Sequence, residues 1–86
     1  MSESWRPYRS NLDPRIGVIS QDGNQGIFCE YDSDSDKTFF YYATLKDGTW
    51  ITNRNTVVDL DGKFSNDRLG VKCMNMAKGI KIDGFF

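Results

Sequence analysis

Three aspartates stand at alternate positions in Asp32-Ser33-Asp34-Ser35-Asp36, a spacing that can wrap carboxylates around a hard cation such as calcium. This is the opening of the EF-hand loop pattern, but the sixth position holds Lys37 instead of Gly and the twelfth holds Ala43 instead of Glu. The run therefore reads either as a weak calcium site at Asp32, Asp34 and Asp36 or as a solvated acidic hairpin loop. A second chemically suggestive set is aromatic and amide-rich. Trp50 precedes Thr52, Asn53, Arg54 and Asn55, while Trp5 and Tyr8 lie with Pro7, Arg9 and Asn11 near the start. A tryptophan ring can cover the C–H face of a sugar while fixed amides bond its hydroxyls. The same residue types also dominate protein interfaces. A third reading makes Trp50 a core ring and the asparagines loop formers.

Catalytic equipment is scarce. The chain has no histidine, which removes the commonest general base, triad member and zinc ligand together. Its eight glycines form neither GxGxxG nor GxxxxGK. The two cysteines cannot make a structural zinc site without further thiols or histidines. They read as buried thiols or, alternatively, as one disulfide closing a long loop. The expectation is a protein that is not an enzyme and needs no cofactor beyond, at most, calcium.

The elements that would position these residues follow from turn punctuation. Asp-Gly occurs four times, at Asp22-Gly23, Asp47-Gly48, Asp61-Gly62 and Asp83-Gly84, and each is a hairpin signal between alternating runs. Strands are predicted at Arg15–Ser20, Gly26–Tyr31, Lys37–Leu45, Thr49–Thr52, Thr56–Leu60, Leu69–Met74 and Ile80–Ile82. In Lys37–Leu45 the residues Phe39, Tyr41, Ala43 and Leu45 share one side, and Thr38, Phe40, Tyr42 and Thr44 the other. Apolar groups on both sides make it a central strand or one whose second face meets a partner. The expected fold is all-β: a small antiparallel sandwich or barrel of about seven short strands joined by Asp-Gly hairpins. Residues 1–86 form a single domain with an N-terminal arm at 1–12. Arg15-Ile16-Gly17-Val18 and Gly26-Ile27 match Arg68-Leu69-Gly70-Val71 and Gly79-Ile80 at one constant offset, a candidate two-motif pseudo-repeat.

Composition bounds the partners. Eleven basic residues against twelve acidic ones, a net charge of −1, argue against nucleic acid. No apolar run approaches the length of a membrane span, and the first residues lack the apolar stretch of a secretory signal. The default location is cytoplasmic, or secreted if a signal has been removed. Two terminal rings, Phe85 and Phe86, are expected to dock on the core or on another copy of the chain, which would make a homo-oligomer.

Three stretches resemble known families. Asn66-Asp67-Arg68-Leu69-Gly70-Val71 resembles the calcium motif of βγ-crystallins, with glycine and valine where that family has serines. Ala43–Trp50 followed by Leu60–Phe64 is similar to one stretch of cyanovirin-type lectins, with a shorter connecting segment. Arg15–Asp32 resembles a blade of fucose-binding propeller lectins, with a longer spacing from Arg15 to Glu30. None closes into a family assignment.

These readings give a non-enzymatic binding domain whose ligand is a glycan or a protein. The lectin-like version uses Trp50, Asn53, Arg54, Asn55, Trp5 and Tyr8. The rival is a protein-binding or inhibitory module docking through the aromatic strand, with Phe40, Tyr42, Phe85 and Phe86 as interface residues. A calcium-stabilised βγ-crystallin-like structural domain is the third alternative.

Overall fold

Alternation, turns and one capped helix build a mostly β architecture. The computed structural model describes residues 4–13 and 15–83, with side chains as far as Gly79. Five strands form one open antiparallel sheet in sequence order: β1 (Arg6–Pro7), β2 (Ile16–Ile19), β3 (Gln25–Asp32), β4 (Lys37–Lys46) and β5 (Thr49–Asp61). The chain then forms one helix, α1 (Asn66–Asp83).

Each connection has its own turn chemistry. Asp47 (φ 52°) and Gly48 (φ 78°) are both left-handed between paired Lys46 and Thr49. That is the two-residue type I′ turn, whose twist matches the flanking strands. The β2–β3 turn is held by Ser20, whose hydroxyl donates to Asp22 Oδ1 (2.6 Å) and accepts from the Gln25 amide (3.1 Å). The β3–β4 turn is the acidic run itself, with Asp36 left-handed at φ 52°.

The segments predicted as Thr49–Thr52 and Thr56–Leu60 are one long strand with a bulge. Tyr42 pairs with Asn53 and Phe40 with Val58, so four residues of β5 oppose the single residue Tyr41. Thr56 closes this bulge: its hydroxyl accepts from the Tyr42 amide (3.1 Å) and donates to the Asn53 carbonyl (2.7 Å).

The expectation of seven strands in a sandwich or barrel is corrected here: among the described residues there are five strands, the sheet is open, and Leu69–Met74 and Ile80–Ile82 are helical. Ser65 caps the helix, its hydroxyl accepting from the Arg68 amide (3.4 Å) and its carbonyl from the Leu69 amide (2.9 Å). Leu69, Cys73, Met76 and Ala77 then recur at helical spacing and turn inward, whereas Val71, which a strand would have placed beside Leu69 and Cys73, is 61% exposed. The alternation of Leu69, Val71 and Cys73 had imitated a strand. The pseudo-repeat has no structural counterpart, because Arg15–Val18 leads into a strand and Arg68–Val71 lies in the helix.

The helix packs on one face of the sheet, against β2 and β3. Val18, Ile27, Cys29 and Phe40 from the sheet meet Cys73, Met76 and Ala77 from the helix in the main core. Among the described residues no helix lies on the other face of the sheet, and that face positions the candidate site. No helix among the described residues is long and apolar enough to cross a membrane.

Candidate functional site

On the helix-free face, two glycines decide the arrangement. Gly17 of β2 pairs with Phe28 of β3, and Gly26 stands two residues before Phe28 on the same side. With no Cβ at either position, the Phe28 ring lies down on the sheet and is fully buried. A Cβ at Gly17 would sit against the Ile27 carbonyl oxygen and 2.6 Å from Phe28 Cδ1; one at Gly26 would come 2.5 Å from Phe28 Cε2.

Four half-buried groups cap that ring. Tyr8 meets it edge-on at 5.1 Å and 86°, Trp50 at 4.9 Å and 71°, and Tyr41 tilts at 6.0 Å. The Arg15 guanidinium stands 5.0 Å from the ring centroid. Tyr8 and Trp50 also touch each other edge-on at 6.3 Å. These are favourable aromatic geometries. Strand alternation puts Phe39 and Leu45 of β4 on the same face as Tyr41. Tyrosine, tryptophan and arginine thus cluster over Phe28 on this face of the sheet.

One carboxylate fixes the rim. Asp13 accepts from the Tyr8 hydroxyl (3.2 Å), the Arg15 amide (3.1 Å) and the Arg15 guanidinium (2.9 Å). Burial works against the charged form of Asp13, but the bonds from Arg15 and Tyr8 outweigh it and hold the carboxyl below its usual range. Burial raises the Tyr41 phenol above its usual value, with the Arg15 charge opposing. Asp13 thus ties Tyr8 and Arg15 together.

The sequence-predicted residues divide between the two faces. Trp50 and Tyr8 come together over Phe28. Trp5 packs instead against the main core on the helix side, and its buried indole Nε1 has no hydrogen-bond partner among the described residues. Asn53, Arg54 and Asn55 occupy the exposed β5 bulge, where Asn53 Oδ1 accepts from the Asn55 amide (3.1 Å). Asn53 is three residues from Trp50 and paired with Tyr42, on the opposite side of the sheet. Asn53, expected to accompany the tryptophan, therefore does not stand beside it.

The proposed interface residues also change sides. Phe40 is 1% exposed in the main core, so it offers no docking surface, and Tyr42 packs against the same core. Their neighbours Phe39 and Tyr41 are the ones on the open face. Phe85 and Phe86 lie outside the described residues.

The acidic loop spends its oxygens internally. Asp32 accepts from the Asp34 amide (3.2 Å) and the Ser35 hydroxyl (2.8 Å), while Asp36 accepts from the Tyr31 hydroxyl (2.7 Å). Among the described residues no three carboxylates or thiols gather in a metal-binding cluster. The weak calcium assignment to Asp32, Asp34 and Asp36 thus lacks the convergence it needs.

Sequence reasoning missed Asp13, Arg15, Phe28 and Tyr41. Asp13 had a signal: an aspartate two residues before a strand-opening arginine is an Asx-turn position. Gly17 and Gly26 carried none, because a glycine that makes room for a ring looks like any other strand glycine. The comparisons add no relative to this geometry: no family model, no curated protein and no solved structure matches the chain.

Proposed function

We propose that the chain is a non-enzymatic protein-binding module whose partner docks on the helix-free face of the sheet, over Tyr8, Arg15, Tyr41 and Trp50. The observation that carries this reading is the capped Phe28 arrangement: four outward side chains of the types that dominate interface energetics, contiguous and held by Asp13 and the sheet. Pre-positioned rings lose little freedom on binding, so more of their contact energy appears as affinity. The glycan reading is weaker, because Asn53 lies on the opposite side of the sheet from Trp50.

Selection of partners from a displayed peptide and domain library tests the proposal, with Arg15→Glu and Tyr41→Glu as variants. Loss of binding by about 30-fold or more in both, the size of an interface hot spot, is expected. Thr44→Glu, on the opposite side of the same strand, should leave binding intact. A glycan array run with the same proteins decides the rival: glycan binding lost on Tyr41→Glu, with no protein ligand selected, would replace the protein reading.

A further inference from the structure

The two cysteines meet where α1 crosses β3. Cys29 and Cys73 belong to one buried cluster and are both unbridged. They are not equivalent. Cys73 is fully buried, whereas Cys29, 4% exposed, lines an open cavity of about 420 Å³ between the start of α1 and the end of β3 that β2 leaves uncovered. Ile16, Thr38, Phe64 and Leu69 line that cavity together with two cations, Arg15 and Lys63, and two carboxylates, Asp13 and Glu30.

We propose that Cys29 and Cys73 form a peroxide-reactive pair, with Cys29 the attacking thiol reached through this cavity and Cys73 the resolving thiol behind it. The oxidant is a small hydroperoxide, consumed once per thiol pair, and the cavity of about 420 Å³ has ample room for it. The Cys29 thiolate attacks the O–O bond and takes one oxygen as a sulfenic acid, and the other oxygen leaves as hydroxide or alkoxide. The Cys73 sulfur then displaces the Cys29-bound oxygen, which departs as water with the Cys73 proton. An S–S bond joins β3 to α1; the two sulfurs lose two electrons and the peroxide gains them.

Access orders the steps, since Cys29 lines the cavity and Cys73 is fully buried. The neighbouring Cys73 thiol draws the Cys29 thiol below its ordinary value, against burial and the nearby Glu30 charge. Cys73 is pushed up by the neighbouring Cys29 sulfur and by its own burial, so it stays protonated until it is called on. The Cys29 sulfur also lies 3.5 Å from the Ile16 carbonyl, a contact that thiolate formation must loosen.

The test treats the folded protein with hydrogen peroxide below its melting temperature, checking by circular dichroism that the helix persists. Thiol titration after denaturation should fall from two per chain to none, and a reducing agent should restore both. Cys73→Ser should stop at a Cys29 sulfenic acid that dimedone traps, whereas Cys29→Ser should give no adduct and keep Cys73 reduced. Cys73→Ala, with no polar group to seat, repeats the trap if Cys73→Ser folds poorly. Retention of both thiols in the folded wild type would overturn the proposal. So would equal dimedone labelling in the two single variants, or a bridge formed only between chains.

Discussion

Replacing Gly17 with alanine should cost far more than a methyl group normally does. The added Cβ would press on the Ile27 carbonyl oxygen, part of the backbone that pairs β2 with β3, and on Phe28 Cδ1 at 2.6 Å. The ring could turn aside, but the carbonyl cannot move without breaking strand pairing. Overpacking of this kind costs about 3 kcal/mol, the upper part of its usual range. For a domain of this length the melting temperature should drop by about 15 °C. Gly70→Ala is the matched control: its Cβ meets nothing within 4 Å and sits inside α1. Alanine there removes the helix penalty of glycine and should stabilise by about 0.5–1 kcal/mol. Gly26→Ala stands between them, since its new Cβ meets only ring atoms, Phe28 Cε2 at 2.5 Å and Trp50 Cζ3 at 3.3 Å. It should destabilise less than Gly17→Ala yet disturb the cluster over Phe28, weakening the near-ultraviolet circular dichroism of the packed rings. Thermal and urea melts of all three variants are the assay. A Gly17→Ala protein within about 0.5 kcal/mol of wild type, the range of an ordinary surface change, would refute the packing argument.

Four further outcomes follow from the same contacts. Thr56→Val keeps the shape of the side chain but removes the hydroxyl that closes the β5 bulge at Tyr42 and Asn53; urea denaturation should show a loss of about 1–2 kcal/mol. Ser65→Ala removes the cap of α1 and should cost about 1 kcal/mol, with the helical signal at 222 nm fraying before the sheet unfolds. Lys37 bridges Asp59 (3.1 Å) and Asp61 (2.9 Å); its hydrogen bond holds Asp61 below the ordinary 3.8, so this contribution is full above that value and fades as pH falls through the lowered one. The Lys37 ammonium is raised above 10.5 by the same pair, so its share is full below that value and fades as pH rises past it; Lys37→Met should flatten both limbs of a melting-temperature profile at low salt. Because Asp32 and Asp36 bond within their own loop, calcium and chelator should leave the melting midpoint unchanged, and a clear rise with calcium would restore the metal reading.

Strand segments from residue 15 to 61 were legible because a period of two is hard to imitate over eight or ten residues, and Lys37–Leu45 shows this most clearly. Its apolar residues on both sides placed it inside the sheet, which is where β4 lies, between β3 and β5. The helix was misread for a local reason. Leu69-Gly-Val-Lys-Cys73 satisfies an alternating pattern as well as a helical one, and Gly70 and Gly79 lower helix propensity; only Ser65 at the cap and the longer run Leu69, Cys73, Met76, Ala77 break the tie. The two-residue turn at Asp47-Gly48 carried its dihedral requirement in its residue types, whereas Asp61-Gly62 ends β5 without a hairpin, Gly62 donating instead to the Asp36 carbonyl (2.8 Å). The site was half legible for a related reason. Residue type identified Trp50 and Tyr8, but proximity in sequence was taken for proximity in space, and in a strand odd separations point to opposite faces. Trp50 and Asn53 differ by three, as do Trp5 and Tyr8, and each pair is split by the sheet. Parity within a strand is thus the stricter filter: applied to β4 it selects Phe39 and Tyr41 over Phe40 and Tyr42, and the helix on the other face makes that selection matter.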